Sequence, residues 1–249
     1  MFEWIKENEN NFSKWYPKVK DCGIRQPVTA YFDVPEELIE AFFMTHDEDD
    51  RDKIYNWVKT ELIPQIPDNL RNKPVFVKNG TFSNKFDFKT CATFTEPCSL
   101  TSSLIEINYN SFLFDAGGAN EVVVRERIPY DARKTPCIYN GMPLRNEFRV
   151  FYDFDKHAVL YAVNYWDYDY CIRAIRNNAT DLVVFDAMRC LLTQGYNENV
   201  DSAVTLVDMH MKNVDLKGKW SIDIMMTDEG FWLIDMAVAE QSAYWDPTR

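Results

Sequence analysis

The spacing of apolar and polar residues predicts helices early in the chain and mostly strands after them. Apolar residues at helical spacing predict helices over residues 35–43 and 52–63 and a helical or mixed segment over 101–114. A further helix is predicted over 180–193, with Gly195 as its C-terminal cap. Apolar or alternating runs predict strands over residues 74–78, 121–126, 146–153, 158–165, 202–209, 220–226 and 231–236.

Helices set among mostly antiparallel strands predict an α+β fold. A change of pattern near Arg71 predicts a small N-terminal lobe, residues 1–70, followed by a larger region, residues 71–249. Hydrophobic residues make up 46% of the chain and aromatic residues 15%, so the material for a core is ample. No segment has the composition of a disordered region, and we expect a globular chain throughout.

The charge balance narrows the classes of partner. The formal net charge is −12, whereas proteins that bind DNA or anionic membranes carry a basic excess. We therefore expect neither DNA nor a membrane as a partner. The negative net charge is still compatible with a local basic pocket for one polyphosphate ligand. Six scattered cysteines without a CxxC pair indicate reduced thiols, and the acidic start and the short apolar runs indicate a cytoplasmic protein.

The most informative segment is residues 220–236, which predicts a hairpin. A three-residue loop, 228–230, would end with Gly230 in the left-handed region and place Asp223 directly opposite Asp235. Like charges in such a pair are destabilising, so the pair invites a cation, and oxygen ligands favour Mg²⁺ bound with phosphates. The alternative is that both aspartates point to water. A slip of one residue would place them on opposite faces.

Lysines after the strand 74–78 could contact a phosphate. Lys78 ends that strand, and Lys85 lies in the loop that follows, which contains Gly80. A lysine in this place acts as a point charge for phosphate, and loop N–H groups add anion-binding dipoles. The alternative, which is favoured for any one such lysine considered alone, is a solvated side chain.

Two strands carry alternating charges. Arg125 and Arg127 alternate along one strand, and Glu147 and Arg149 share a face of another. Such a face is either solvated or part of a polar site, and these residues alone favour the solvated face. The three histidines have no Ser or Cys at a catalytic spacing, and we assign them no role.

Taken in order along nearly the whole chain, these segments resemble the D123 (cell division cycle 123) family, a divergent branch of the ATP-grasp fold. Order and spacing carry the resemblance, since each motif alone has little specificity. It implies antiparallel sheets that sandwich the nucleotide. The matching segments are Trp15-Tyr16-Pro17-Lys18-Val19, Gly23-Ile24-Arg25, Phe76-Val77-Lys78, Ser83-Asn84-Lys85, Val123-Val124-Arg125-Glu126-Arg127, Glu147-Phe148-Arg149-Val150-Phe151 and Trp232-Leu233-Ile234-Asp235, with Asp223 before the hairpin.

The resemblance also implies ATP and Mg²⁺ as the cofactors and assigns roles to individual residues. Arg149 would contact the γ-phosphate or an acyl phosphate and is the candidate catalytic residue. The implied metal ligands are Asp223 and Asp235, the implied phosphate contacts are Lys78 and Lys85, and the residues expected to frame the adenine are Arg125, Glu126, Arg127 and Ile128.

The chain departs from the family pattern at two places. Ala237 stands where family members have an asparagine that helps to bind the metal, so that ligand is lost, and Glu240 or water would have to replace it. Residues 163–167 replace an SQRD stretch of the family. The pocket is therefore better supported than catalysis in it.

Three functions follow from these expectations. The first is an ATP-dependent carboxylate–amine (or similar) ligase that acts through an acyl phosphate. The second is a D123-type protein that uses ATP in the assembly of a translation initiation factor complex, with a peptide or protein partner. The third is an acidic interaction protein whose nucleotide pocket has decayed.

Overall fold

The computed structural model describes residues 3–44, 47–118 and 120–249. Within these ranges the chain forms two compact units, each with an antiparallel sheet of its own. The first unit comprises the described residues of Met1–Lys14, Pro27–Pro129 and Tyr139–Met142, and the second comprises Trp15–Gln26, Tyr130–Ile138 and Pro143–Arg249.

The first unit is built around an antiparallel sheet with the strand order β1 (Thr29–Asp33), β4 (Glu121–Glu126), β2 (Pro74–Asn79) and β3 (Ala92–Phe94). Helix α2 (Phe12–Val19) begins in this unit, and its last five residues belong to the second. The elements up to β4 are α1 (Glu3–Glu7), α2 (Phe12–Val19), β1 (Thr29–Asp33), α3 (Glu36–Met44), α4 (Glu48–Trp57), a π-helical turn (Val58–Leu62), α5 (Ile63–Gln65), β2 (Pro74–Asn79), a 3-10 turn (Lys85–Asp87), α6 (Phe88–Cys91), β3 (Ala92–Phe94), α7 (Pro97–Leu113) and β4 (Glu121–Glu126).

Alternation along the strands gives the first sheet one largely apolar face and one mixed face, on which Lys78 and Arg125 lie. Val75 and Val77 of β2 and Val122 and Val124 of β4 are fully buried in the core of this unit. Helix α7 adds buried leucine and isoleucine side chains at helical spacing to the same core. The intervening strand residues therefore lie on the other face.

The second unit is built around an antiparallel sheet with the strand order β10 (Gly230–Val238), β9 (Lys219–Thr227), β7 (Glu147–Asp153) and β8 (Ala158–Asn164). Helix α9 (Ala179–Met211) packs on β7 and β8, where Phe148 stacks on Tyr196 with ring centroids 5.7 Å apart. The remaining elements are β5 (Cys137–Ile138), β6 (Met142–Pro143), β7 (Glu147–Asp153), β8 (Ala158–Asn164), α8 (Tyr168–Ile175), α9 (Ala179–Met211), β9 (Lys219–Thr227), β10 (Gly230–Val238) and a 3-10 turn (Ala239–Gln241).

Helix α9 corrects two predictions, the helix end at Gly195 and the strand over 202–209. The helix runs on to Met211, because Ala203, Val207 and Met211 are buried at intervals of four residues. The strand prediction for residues 202–209 is therefore wrong, because an interval of four residues between buried apolar side chains is typical of a helix and not of a strand.

Gly195 lies in the interior of α9 and does not cap it. A Cβ atom at this position would lie 2.0 Å from Nδ2 of Asn146. Glycine is therefore needed for the close approach of Asn146 to the helix, which costs the helix some intrinsic stability.

The other predicted elements are confirmed, and their ends differ from the prediction by no more than four residues when the π-helical turn is counted with α4. These are helices α3, α4 and α7 and strands β2, β4, β7, β8, β9 and β10. The lobe boundary near Arg71 stays a prediction; packing groups residues 27–70 with β2, β3 and β4. Among the described helices, none combines the length and the apolar character needed to cross a bilayer.

Candidate functional site

The hairpin of β9 and β10 turns more tightly than predicted. Thr227 pairs with Gly230, so the loop contains two residues, Asp228 and Glu229, and the predicted three-residue loop is wrong. Gly230 has φ +106°, a conformation that glycine adopts without steric cost.

A β-bulge restores the predicted aspartate pair. Leu233 pairs with Ile224, but the next pair is Asp235 with Asp223, so Ile234 is an extra residue on β10. Without this bulge the tighter turn would set Ile234 opposite Asp223 and would direct Asp235 to the other face. The prediction that Asp223 and Asp235 are directly opposite is therefore confirmed, although the strand pairing that brings them together differs from the predicted one.

Arg149 extends this pair into a row of three charged residues across β7, β9 and β10. Arg149 pairs with Asp223 in the ladder, and its Nε and Nη2 donate to Oδ1 and Oδ2 of Asp223 at 2.8 and 2.7 Å. This is the two-pronged geometry in which guanidinium and carboxylate bind most strongly. The guanidinium also lies 4.9 Å from the ring of Tyr165.

The face that carries the row is mostly buried, and the preference for a solvated face is wrong here. The side chains of Arg149 and Asp223 are 12% and 8% exposed, and Glu147 is buried. Residues 242–246 cover part of this face, through Ala243 and Trp245 among others. No local sequence pattern predicts that residues 242–246 cover this face, because the cover depends on contacts between residues distant in the chain.

Electrostatics hold Arg149 in its charged form. Burial by itself lowers the pKa of Arg149, but the carboxylates of Asp223 and, at a longer distance, Asp235 outweigh that effect and raise the pKa above its ordinary value. The three groups together carry a formal charge of −1, and the ion pair fixes the orientation of the Asp223 carboxylate.

In the first unit, two cationic side chains share one aromatic neighbour. Lys78 Nζ lies 5.9 Å from the ring centroid of Phe12, and the guanidinium carbon of Arg125 lies 5.7 Å from the same centroid. Arg125 also donates from Nε to Oγ1 of Thr29 at 3.3 Å. Lys78 is 2% exposed and Arg125 4% exposed, so the solvated alternative is wrong for both.

A buried glutamate that the sequence did not single out lies in the same unit. Glu121 accepts hydrogen bonds from the hydroxyl and the backbone N–H of Ser13, at the start of helix α2. Burial raises the pKa of Glu121, although the hydrogen bonds from Ser13 oppose that rise. Through this bond Glu121 fixes the first turn of α2, and with it Phe12 beside Lys78.

The remaining predicted contacts occupy less buried positions. Lys85 is half-buried in the 3-10 turn that follows β2. Arg127 lies 5.7 Å from the ring of Phe88, and Glu126 and Ile128 are half-buried at and just after the end of β4. Their assignment to adenine and phosphates remains a prediction.

The donors around the aspartate pair fit a magnesium ion that keeps water and phosphate ligands. Among the described residues, no group of three or more His, Cys, Asp or Glu side chains is arranged to hold a metal. Ala237 pairs with Ser221 and offers no side-chain ligand, and Glu240 is exposed on the 3-10 turn. Two carboxylates suffice for Mg²⁺, which usually binds through one or two of them together with water and substrate phosphates.

Comparison with solved structures finds several similar proteins. The structure of Cdc123 from Schizosaccharomyces pombe matches 94% of this chain and 86% of its own, with 12% identity and a TM-score of 0.51. A C-terminally truncated Cdc123 from the same organism matches 94% and 85%, with 14% identity and a TM-score of 0.48. A D-alanine–D-alanine ligase from Bacillus anthracis complexed with ATP matches 92% and 53%, with 11% identity and a TM-score of 0.36.

The match to Cdc123 at a TM-score of 0.51 shows a shared fold. The chain is α+β and has the fold of Cdc123, as the resemblance to the D123 family implies. At 12% identity the similarity concerns the fold and not the roles of residues. No family model matches the chain, and no curated protein does.

Proposed function

We propose that the chain binds ATP with Mg²⁺ in an ATP-grasp-type site. The observation that carries the proposal is the row Arg149, Asp223 and Asp235 on one face of three neighbouring strands. Two carboxylates directly opposite each other destabilise the folded chain unless cations compensate them, and a bound Mg²⁺ would add to the compensation that Arg149 provides.

In this proposal Asp223 and Asp235 hold the metal. A carboxylate accepts about four hydrogen bonds or ligands, and Arg149 uses one position on each oxygen of Asp223, so positions remain for Mg²⁺. The ion pair would then orient Asp223 for the metal. Bound Mg²⁺ supplies charge neutralisation at the phosphoryl group that is transferred.

Lys78 and Lys85 are the proposed phosphate contacts, and residues 125–128 the proposed frame for adenine. Lys78 and Arg125 lie within 6 Å of the same phenylalanine ring, on a chain whose net charge is strongly negative. Two buried cationic side chains beside one ring would complement an anion better than a neutral ligand. They are the candidates for the local basic pocket with which the overall charge is compatible.

The reaction that suits such a site is carboxylate activation. A substrate carboxylate oxygen would attack the γ-phosphorus and release ADP, and an amine would then attack the acyl carbon and release phosphate. Arg149 would stabilise the charge on the phosphoryl oxygens, and no protein nucleophile is required.

The second candidate is an ATP-dependent assembly protein of the D123 type. One observation favours it, the fold match to Cdc123, whereas Ala237 departs from the D123 pattern. Formation of ADP and phosphate that depends on an added carboxylate and amine would favour the ligase. Nucleotide binding without turnover, together with co-purification of one defined protein, would favour assembly.

The binding proposal is tested by thermal unfolding with Mg-ATP, with Mg-ADP and without nucleotide. A ligand that binds only the folded chain raises its stability in proportion to RT ln(1 + [L]/Kd). In Asp235→Asn we expect the unliganded chain to gain about 0.2–1 kcal/mol from the relieved repulsion, and the Mg-ATP shift to fall.

The matched control is Asp228→Asn, which removes the same charge from the exposed tip of the same hairpin. It should keep the full Mg-ATP shift. Absence of a shift in the wild-type chain, or an equal shift in Asp235→Asn, would exclude a metal-dependent nucleotide site at this pair.

A further inference from the structure

A short segment, residues 242–246, crosses the sheet face that carries the charged row; we call it the strap. Ser242 Oγ lies 2.7 Å from Ser221 Oγ, two residues before Asp223 on β9. Arg149 donates from Nη1 to the carbonyl oxygen of Ala243 at 3.3 Å. The strap therefore touches the guanidinium that binds Asp223.

Aromatic residues hold the far end of the strap. The ring of Trp245 lies 5.3 Å from Phe151 and stacks on Tyr161 with centroids 6.2 Å apart. The hydroxyl of Tyr161 donates to the carbonyl oxygen of Tyr244 and accepts from the backbone N–H of Asp246. Tyr244 adds a second anchor, because its hydroxyl donates to the carbonyl oxygen of Tyr165 at 2.9 Å and its ring lies 4.2 Å from that of Tyr170. Two aromatic side chains of the strap, Tyr244 and Trp245, therefore hold its far end.

The strap has the marks of a reversible contact. It is not a strand of the sheet, and its hydrogen bonds to the face run mainly through side chains. Tyr244 has φ +69°, in the left-handed region that costs a bulky residue free energy. Trp245 is only half-buried. Release would relieve the backbone strain and would free a donor of Arg149.

We propose that the strap is a displaceable cover of the site, which is docked when the site is empty and leaves Arg149 when a phosphate-bearing ligand binds. This inference rests on the proposed function, because the ligand and the carbonyl of Ala243 compete for the same guanidinium. A docked cover lowers the apparent affinity for the ligand by the fraction of molecules in which it is open. The competing view is that the strap is a permanent part of the fold that keeps Phe151 buried.

A disulfide can lock the strap in place. In the double variant Ser221→Cys/Ser242→Cys the new thiols replace hydroxyls that are 2.7 Å apart. The oxidised protein should bind Mg-ATP about tenfold or more weakly than the same protein after reduction. Wild-type chain taken through the same oxidation and reduction controls for the native cysteines and should not change.

A second variant loosens the strap. Trp245→Ala removes one of its two aromatic anchors and leaves the residues of the charged row in place, so it should bind Mg-ATP more tightly than the wild-type chain does. Equal affinity of the locked and reduced proteins would overturn the inference while leaving nucleotide binding intact.

Hydrogen exchange tests the strap without any nucleotide. The Asp246 amide, which donates to Tyr161, should exchange faster than the amides of β7, and Trp245→Ala should accelerate Asp246 alone. Exchange of Asp246 as slow as that of β7 would show a permanent element and overturn the inference. A chain in which Asp246 exchanges fast but no form binds Mg-ATP would instead refute the proposed function.

Discussion

Arg149 and Asp223 face each other across β7 and β9 and are joined by two parallel hydrogen bonds of 2.8 and 2.7 Å. Both side chains are largely removed from solvent. Such a pair gives the sheet geometric definition more than net stability, because each charge loses its hydration. Asp223 is thus a preoriented carboxylate whose position depends on one partner.

The pair predicts an asymmetric mutational response. Arg149→Leu leaves the Asp223 carboxylate buried without its main partner and should destabilise the chain by about 3–5 kcal/mol in urea unfolding. The double variant Arg149→Leu/Asp223→Leu should recover most of that loss, since no buried charge remains. Lys53→Leu, which breaks an exposed pair with Asp50, should change stability by less than about 1 kcal/mol. A double variant as unstable as Arg149→Leu would contradict this account of the pair.

Lys78 predicts an effect on ligand binding. Stability measurements on the same variant show whether its folding has changed as well. Lys78→Met keeps most of the buried stem and removes the charge, so Mg-ATP affinity measured by calorimetry should fall about ten- to hundredfold, the size of one charge-assisted hydrogen bond. Lys73→Met, at an exposed position just before the same strand, is the control and should bind as the wild type does. Loss of binding in both variants would point to bulk electrostatics rather than a phosphate contact.

Glu121 should make the free energy of unfolding depend on pH. Burial raises its folded pKa above the ordinary value of 4.5, so the folded chain holds the proton more tightly than the unfolded chain does. The contribution of Glu121 to stability is therefore full below pH 4.5 and falls as the pH rises towards the folded pKa, by about 1.4 kcal/mol for each unit of pKa difference.

Glu121→Gln removes this titration while an amide oxygen can still accept from Ser13. In urea unfolding, the stability of Glu121→Gln relative to the wild-type chain should increase between pH 4.5 and 7. Asp115→Asn, outside this cluster, serves as a control for the loss of one carboxyl group. A difference for Glu121→Gln that is constant with pH would show that the folded pKa is not raised.

The effect of Gly195→Ala on stability should have opposite signs in the wild-type chain and in the Asn146→Ala variant. Gly195→Ala alone should destabilise the chain by about 1–3 kcal/mol, since the new methyl group would overlap the Asn146 side chain. In the Asn146→Ala background the space is free, and the same change should stabilise α9 by about 0.5–1 kcal/mol. Thermal unfolding of the four proteins gives the coupling directly, and additive effects would argue against the close approach.

The sequence predicted the fold where short-range patterns determine it. Strands such as β7 and β9 have apolar residues at every second position, and α3 and α4 have them at helical spacing, so local structure and burial agree. The prediction was wrong at Gly195, because a glycine that ends a helix and a glycine that admits Asn146 look the same without the partner in view. Strand β1, with its mixed burial, was missed for the related reason that its ladder with β4 is long-range.

The candidate site was predicted in part. The opposition of Asp223 and Asp235 followed from counting along a hairpin, but the bulge at Ile234 has no marker in the composition of β10. The burial of Lys78 and Arg125 depends on Phe12, which is distant in sequence. Glu121 was not noticed because a single glutamate at the start of a strand is ordinary until Ser13 is placed beside it.

The bulge at Ile234 has a consequence for comparing this chain with others. The tip of the hairpin and the aspartate pair are one residue out of phase, so a relative whose hairpin lacks the bulge would carry one residue fewer between its turn and its second aspartate. An alignment without a gap at that point would match Asp235 with the wrong neighbour. Relatives of this chain should therefore be compared with a single-residue gap allowed between Leu233 and Asp235.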